Sequence, residues 1–319
     1  MSKLIVLEDL LSDLINETQG LLAVLILDLD GLIIAKQSIE GFDEELVGAI
    51  TSILDQMINR IKIYAETSFG CGTFNTNEFQ LFYVELSKVV PAIFVLIGDY
   101  YSNIDQIIPY AYLTAEKISN ILNNQESTLN IPKLNDNGQL IFKSDIKSEN
   151  NNKNLNKIVI VGPESTGKSA LARTYCKGTF NDAYKPTIGI SIIEKDLQIS
   201  KNYNLRLFLL DLGGIKSFAK IRKFYINYSN AVLILFDYSR IETFNNIIDW
   251  IEETNQFIKD KSTPILLIGN KIDLVDNRED LRLKAQDLAE QYNFPFFETS
   301  ALTGEGIDEV FTYLISSFF

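Results

Sequence analysis

KIVIVGPESTGKSALART (157–174) is the stretch whose reading decides the fold. Lys157 to Val161 is a short apolar run, as expected of a strand buried on both faces. Gly162 to Ser169 fits G-x-x-x-x-G-K-[ST], and from Ser169 onward the pattern is helical. A strand, a glycine-bounded loop and a helix in that order form a phosphate-binding P-loop. Its backbone N–H groups turn inward and meet a helix N-terminus, which together cradle a polyphosphate. Gly162 and Gly167 allow the tight turns. Lys168 brings a charge to the terminal phosphates, and the Ser169 hydroxyl is a ligand for Mg²⁺.

Four more motifs follow at fitting distances. KPTIG (185–189) lies between the first helix and the second strand of this half, where Thr187 can close over Mg²⁺ and a third phosphate. DLGG (211–214) ends a strand. Asp211 can hold the Mg²⁺ shell, and the Gly214 N–H can meet the third phosphate. Loops of this kind are ordered by that phosphate and released on hydrolysis. NKID (270–273) follows the apolar run PILLIG (264–269). The Asp273 carboxylate only accepts hydrogen bonds, so it suits the N1–H and amino group of guanine, which adenine does not offer. Asn270 braces the loop and the Lys271 stem covers the ring. ETSA (298–301) ends the next strand and brings the Ala301 N–H toward the guanine O6.

Strands are expected at Lys157–Val161, Ser191–Ile199, Leu205–Asp211, Ala231–Asp237, Pro264–Asn270 and Phe294–Glu298, with helices between them and a last helix over Ile307–Phe318. Alternation of this kind implies a mostly parallel, doubly wound α/β sheet. The strand ending at Asp211 and its predecessor form an antiparallel edge pair.

The five motifs together, in this order, resemble the Ras superfamily of small GTPases, and the resemblance covers residues 157–319. FNDAYKPTIG (180–189) is also similar to that family's effector loop. The resemblance implies GTP or GDP as bound nucleotide and Mg²⁺ as cofactor. It implies a nucleotide-binding set of Glu164, Ser165, Thr166, Gly167, Lys168, Ser169, Ala170, Phe180, Tyr184, Thr187, Gly214, Asn270, Lys271, Asp273, Ser300, Ala301 and Leu302. Phe180 would pack against the base and Tyr184 would cover the phosphates. Ser169, Thr187 and Asp211 would be the metal ligands, and Lys168, Thr187 and Gly214 the catalytic groups of a GTPase.

Two positions depart from the family. Ile215 follows DLGG, where most members have the Gln that orients the attacking water. The isoleucine side chain, a branched hydrocarbon, has neither donor nor acceptor and cannot do that. Glu164 stands in the P-loop where Ras has Gly, although Arf-like members carry an acid there. Two readings of different class follow. One is a slow GTP/GDP switch, completed by a group from elsewhere. An arginine supplied in trans contributes roughly 10³–10⁵ in rate, and Arg60, Arg173 and Arg222 are in-chain candidates for such a group. The other is a GTP-locked, non-hydrolysing scaffold. Thr187 and Gly214, which a purely structural nucleotide would not need, favour the switch.

The first 125 residues read differently. Residues 4–18 have apolar positions at three- and four-residue spacing, hence an amphipathic helix. Strands follow at Leu21–Leu27 and Leu32–Lys36, joined by the turn DLDG (28–31). A second helix spans 43–63, with an apolar stripe wider than one core face needs. Strands near Phe69–Phe74, Glu78–Leu86 and Val89–Ile97 and a helix from about Asp105 to Leu122 complete the segment. DLDG lacks the remaining ligand positions of a calcium loop, so it is a structural turn. By themselves these residues specify an α+β domain, a description a profilin-like domain also meets. The order of elements, with the hairpin after an opening helix, resembles the Roadblock/dynein light chain family, a smaller longin-like α+β fold. That resemblance implies dimerisation and a regulatory role toward small GTPases. Rag-type GTPases are similar in carrying such a domain, but after the G domain rather than before it.

The resulting organisation is a Roadblock-like domain over 1–125, a linker over 126–156 and a Ras-like GTPase domain over 157–319. The linker is rich in Asn, Ser and Lys and lacks apolar periodicity. With the residues just before it, the stretch 123–156, about 34 residues, spans roughly 30 Å, which lets the domains meet at an effective concentration near millimolar. IPKL (131–134) and QLIF (139–142) are short extended pieces within it.

Charge and composition bound the rest. Residues 1–125 hold 6 Lys+Arg against 17 Asp+Glu, so most of the net charge of −13 lies there. That disfavours nucleic acid and anionic membrane as direct partners. The apolar runs LLAVLIL (21–27) and VVPAIFVLIG (89–98) are too short to cross a bilayer. The absence of His excludes His-based triads and His metal sites, and the two cysteines, Cys71 and Cys176, do not suggest a disulfide framework or a metal site. Acidic residues near the N-terminus interrupt any signal sequence. Ser2 and the terminal SSFF offer no lipidation site of the usual kinds. The expectation is a cytoplasmic protein, any recruitment to a membrane being left to a partner. Its expected associations are a homodimer or Roadblock-mediated oligomer, other Roadblock or GTPase proteins, and an activating protein and exchange factor.

Overall fold

Side chains of a strand alternate between the two faces of its sheet, and residues 21–27 are apolar at every position, so both faces must be covered. The computed structural model describes residues 3–29, 31–40, 42, 70–86, 90–102, 104–125, 127, 133–134, 140–141, 153–180, 187, 189–200, 203–214, 219–227 and 229–319. The chain divides into two units, Met1–Ile131 and Pro132–Phe319.

In the first unit, helix α1 (Lys3–Glu17) precedes strands β1 (Leu21–Leu27), β2 (Ile33–Ser38), β3 (Cys71–Asn75), β4 (Phe79–Glu85) and β5 (Ile93–Asp99), and helix α2 (Ile104–Leu122) follows. The strands form one antiparallel sheet in the order β2-β1-β5-β4-β3. Leu7, Leu10, Leu11 and Leu14 of α1 are buried at the predicted spacing. Phe82 of β4 meets Tyr112 of α2 edge-on, with ring centroids 5.2 Å apart, so this face of the sheet carries the helices. Ala23, Leu25, Val95, Ile97 and Leu81 form a buried cluster on the opposite face, in register with one another. The expected helix over 43–63 lies outside the described residues. The DLDG stretch is a turn: the Leu32 N–H donates to Asp28 Oδ1 at 2.8 Å and the Asp28 N–H to the Leu32 carbonyl at 2.9 Å.

The second unit begins with two short strands, β6 (Lys133–Leu134) and β7 (Leu140–Ile141), which pair antiparallel. The two extended pieces expected within the linker thus pair with each other. Next come β8 (Lys153–Val161), α3 (Lys168–Lys177), β9 (Ile190–Ser200), β10 (Tyr203–Leu212), α4 (Ala219–Ile226), β11 (Ala231–Asp237), α5 (Ile241–Asn245) and α6 (Ile247–Phe257). Then follow β12 (Ile265–Asn270), α7 (Glu279–Tyr292), β13 (Phe296–Thr299) and α8 (Ile307–Ser316). The sheet order is β13-β12-β11-β8-β10-β9, parallel except for β9 against β10. This is the predicted α/β architecture with its antiparallel edge pair. β8 starts at Lys153, four residues before the expected strand. Its polar opening is held by backbone pairing, Lys153 opposite Asn204 through Asn156 opposite Leu207, which apolar patterning does not reveal.

Every residue of β11 and of β12 is buried, as central parallel strands covered on both faces require. The strand order reverses around β8, with β10 on one side and β11 on the other. Ligands of such sheets bind in the crevice beyond the carboxyl ends of the strands at that point. The loops after β8, β10, β12 and β13 carry four of the sequence motifs, and KPTIG stands between α3 and β9.

Candidate functional site

The loop after β8 is shaped by residues that tolerate a left-handed backbone. Gly162 has φ +137°, and a Cβ there would lie 2.2 Å from the Leu235 carbonyl oxygen. Gly167 has φ +91°, and its Cβ would lie 2.2 Å from Asn270 Nδ2. Only glycine fits either place. Ser165 adopts φ +60° as a non-glycine. Thr166 is fully buried and donates to the Pro163 carbonyl at 3.0 Å. Ala170 is half-buried in the first turn of α3, and the Glu164 side chain is exposed.

Lys168 opens α3 with its ammonium inside the loop, donating to the carbonyls of Gly162 (2.9 Å) and Pro163 (2.7 Å). Burial lowers its pKa to about 8, and Asp211 and Glu164 partly oppose that. A polyanion in the loop would work in the same direction as those two acids and keep the ammonium charged.

Three motifs converge on one point. The hydroxyls of Ser169 and Thr187 both donate to Asp211 Oδ2, Thr187 at 2.9 Å, and the two hydroxyl oxygens lie 3.2 Å apart. Asp211 is 1% exposed, and its Oδ1 has no hydrogen-bond partner among the described residues. Burial pushes its pKa up, against the pull of Lys168 and the two hydroxyls. A buried carboxylate with one unused oxygen beside two hydroxyls is a hard-oxygen donor set. Mg²⁺ characteristically takes one or two carboxylates, with phosphates and water completing an octahedron. No cluster of three or more His, Cys, Asp or Glu occurs among the described residues, so the protein supplies a partial shell that a phosphate would complete. The residues fit the ion. Ser169, Thr187 and Asp211 would hold the ion, and Mg²⁺ there would offset the negative charge of the terminal phosphates.

Gly214 lies against the P-loop. A Cβ on it would come within 2.7 Å of the Glu164 nitrogen and 2.9 Å of the Gly162 oxygen. Its neighbour Gly213 donates to the Gly189 carbonyl at 2.8 Å, which links the DLGG loop to the segment that carries Thr187.

At the other end of the crevice, Asn270 is fully buried and holds three parts of the chain together. Its Nδ2 donates to the Thr166 carbonyl (2.9 Å), and its Oδ1 accepts from Thr299 Oγ1 (3.0 Å) and the Ala301 N–H (3.2 Å). The Ala301 N–H, assigned by sequence to the base, therefore also braces Asn270. Asp273 is exposed and accepts a bond from the buried Ser300 hydroxyl, which aims one carboxylate oxygen. Lys271 has φ +64°, and its ammonium sits 2.7 Å from Asp237 Oδ2. Phe180 and Leu302 are exposed, and Tyr184 and Ile215 lie outside the described residues.

Two contributors were not singled out from sequence. Asp237, at the end of β11, is fully buried. Burial raises its pKa, but bonds from Lys271, Ser239 and Arg240 outweigh that and leave it lowered. It anchors the Lys271 stem. Arg240 bonds Asp237 at 3.0 Å and the Glu164 carbonyl at 2.7 Å, tying this corner to the P-loop. The available signal was an aspartate closing the apolar run AVLILFD (231–237). The candidate arginines also sort themselves. Arg222 is buried and committed to Glu253, so it is not a mobile finger, and Arg60 lies outside the described residues.

A phosphate loop, a partial Mg²⁺ shell and a braced base-recognition loop define a P-loop nucleotide-binding domain. Residues 157–319 match the Ras family. The chain is 33% identical over 165 residues to Ras-related protein Rab-32B of Dictyostelium discoideum, covering 51% of this chain and 64% of that protein. It is 33% identical over 157 residues to Ras-related protein Rab-4 of the same organism (49% and 76%), and 32% over 159 residues to Ras-related protein Rab-1 of Theileria annulata (50% and 71%). The chain belongs to the Ras family. Its second unit is a GTPase domain that binds GTP and GDP with Mg²⁺.

Proposed function

We propose that the protein is a GTP/GDP switch whose hydrolysis step is slow without help, and that its first unit is a Roadblock-like module for dimerisation or regulation. The observation that carries the switch is the junction of Thr187, Asp211, Gly189 and Gly213. Both loops that must sense a third phosphate are joined to each other and to the metal position. The slow step follows from Ile215, which offers the attacking water nothing to bond. The five-stranded antiparallel sheet with α1 and α2 on one face supports the module. Its partners would be a second copy, other Roadblock or GTPase proteins, an activating protein and an exchange factor, in the cytoplasm or at a membrane to which a partner recruits it.

Single-turnover hydrolysis of GTP by the full-length chain tests this, with and without Ile215→Gln. The expected result is slow turnover by the wild type and an increase of about 10²-fold in the variant. Turnover in the variant with none in the wild type, even in the presence of partners, would favour a GTP-locked scaffold instead, a reading that Ile215 also supports. Sedimentation of the full chain reads the dimer directly.

A further inference from the structure

Arg222 is 2% exposed, and its guanidinium reaches Glu253, Gly213 and Trp250. Nε and Nη2 bond the two carboxylate oxygens of Glu253 on α6, Nη2 at 3.0 Å. Nη1 donates to the Gly213 carbonyl at 3.3 Å. Its central carbon sits 4.7 Å from the ring centroid of Trp250. A partly buried ion pair of this kind is a weak source of stability, since a well-packed apolar cluster does as well or better. The contact with Gly213 gives it a different use. In a trans peptide the carbonyl of one residue and the N–H of the next lie in one plane and point opposite ways. Holding the Gly213 carbonyl therefore fixes the direction of the Gly214 N–H. Gly214 lies against Glu164 and Gly162 of the P-loop, so that N–H is the one placed to meet a third phosphate. A cavity of about 510 Å³ lined by Glu164, Gly214, Arg222, Trp250 and Glu253 adjoins the peptide, leaving room for it to turn when the clamp opens.

We propose that Arg222 is a positioning residue for the third phosphate: held by Glu253 and Trp250, it pins the Gly213–Gly214 peptide and so strengthens the hold on GTP relative to GDP. This rests on the two-state switch reading. The clamp reports on itself, because Trp250 is the single tryptophan of the chain.

The test uses the full-length protein with Mg²⁺ and two probes, GDP and the β,γ-imido analogue of GTP. Arg222→Met should weaken the analogue about tenfold, the order of one charge-assisted hydrogen bond, and leave GDP within about twofold. Arg222→Lys, which keeps a donor for Gly213 but loses the fork, should recover part of the loss. Trp250 emission should change between the two nucleotides in the wild type and stay constant in Arg222→Met. Proportional loss for both nucleotides, or no loss for either, would mean a merely structural arginine and overturn the proposal. Should Arg222→Met not fold, Glu253→Gln must shift the affinity ratio the same way by a smaller factor, and an unchanged ratio there overturns it equally. The two failures are distinct. A wild type whose amide exchange over 205–226 is identical with both nucleotides is not a switch. A wild type and an Arg222→Met variant that respond alike leave the switch standing and remove the clamp.

Discussion

Asn270→Asp is the sharpest probe of how the site is braced, because it changes one arm of a three-armed contact. Oδ1 keeps its bonds from Thr299 and Ala301, while the Nδ2 that donates to the Thr166 carbonyl becomes an oxygen facing an oxygen. Thr166 and Asn270 are both fully buried, so water does not replace the lost donor. Losing one buried donor and leaving its acceptor unsatisfied costs about 2–4 kcal/mol, or roughly 30- to 1000-fold in nucleotide affinity. The loss should appear mainly as faster release of a fluorescent GDP, followed by stopped flow. The new carboxyl is buried, so its pKa is raised, and its protonated form carries an O–H that can again donate to Thr166. The defect should therefore shrink as pH falls from 8 to 6. Thr299→Val, which removes one neutral bond, should cost only about 1 kcal/mol. A GDP release rate within threefold of the wild type, or a defect that does not ease at low pH, would refute the role of the Thr166 arm.

Gly162→Ala should be far worse than Gly178→Ala. Both have positive φ, but the first places a Cβ 2.2 Å from the Leu235 oxygen while the second meets nothing within 4 Å. Urea denaturation should show a loss above about 3 kcal/mol for the first and about 1–2 kcal/mol for the second. Lys157 is buried and its pKa is lowered to about 7 by that burial. Its folded pKa lies below its unfolded one, so the unfolded chain binds the extra proton between about pH 7 and 10.5, and stability rises with pH across that window. Lys157→Met should flatten the rise, read as urea midpoints against pH. Asp211→Asn should make GDP retention less sensitive to EDTA than in the wild type, because the Mg²⁺ shell loses its charged oxygen. An unchanged EDTA response would argue against the assigned metal position.

What was legible in the sequence was what the chain encodes locally. LLAVLIL (21–27) and AVLILFD (231–237) became strands with the predicted bounds, β1 and β11, because an unbroken apolar run can be buried on two faces and little else. The P-loop was legible because its glycines are needed at fixed spacing, and the Cβ clashes at Gly162 and Gly167 show why. The parts not read from sequence are contacts across the chain. β8 begins at Lys153 because Asn204 to Leu207 pair with it, and a ladder of backbone bonds asks nothing of the side chains. Asn270 was assigned a brace, but Thr166, its acceptor, stands 104 positions away. Arg222 was a candidate finger in sequence and is a clamp in the structure because Glu253, 31 positions on, takes its charge. The same pairings that hid these residues define their effect. A residue of the base-recognition loop, such as Asn270, acts on a part of the nucleotide that GDP and GTP share and should affect both. A residue that reaches the site through the Gly213 carbonyl can act only where the Gly214 N–H has a phosphate to meet. The split between the two affinities is therefore the measurement that separates residues serving the shared part of the nucleotide from those, such as Arg222, that act through the third phosphate.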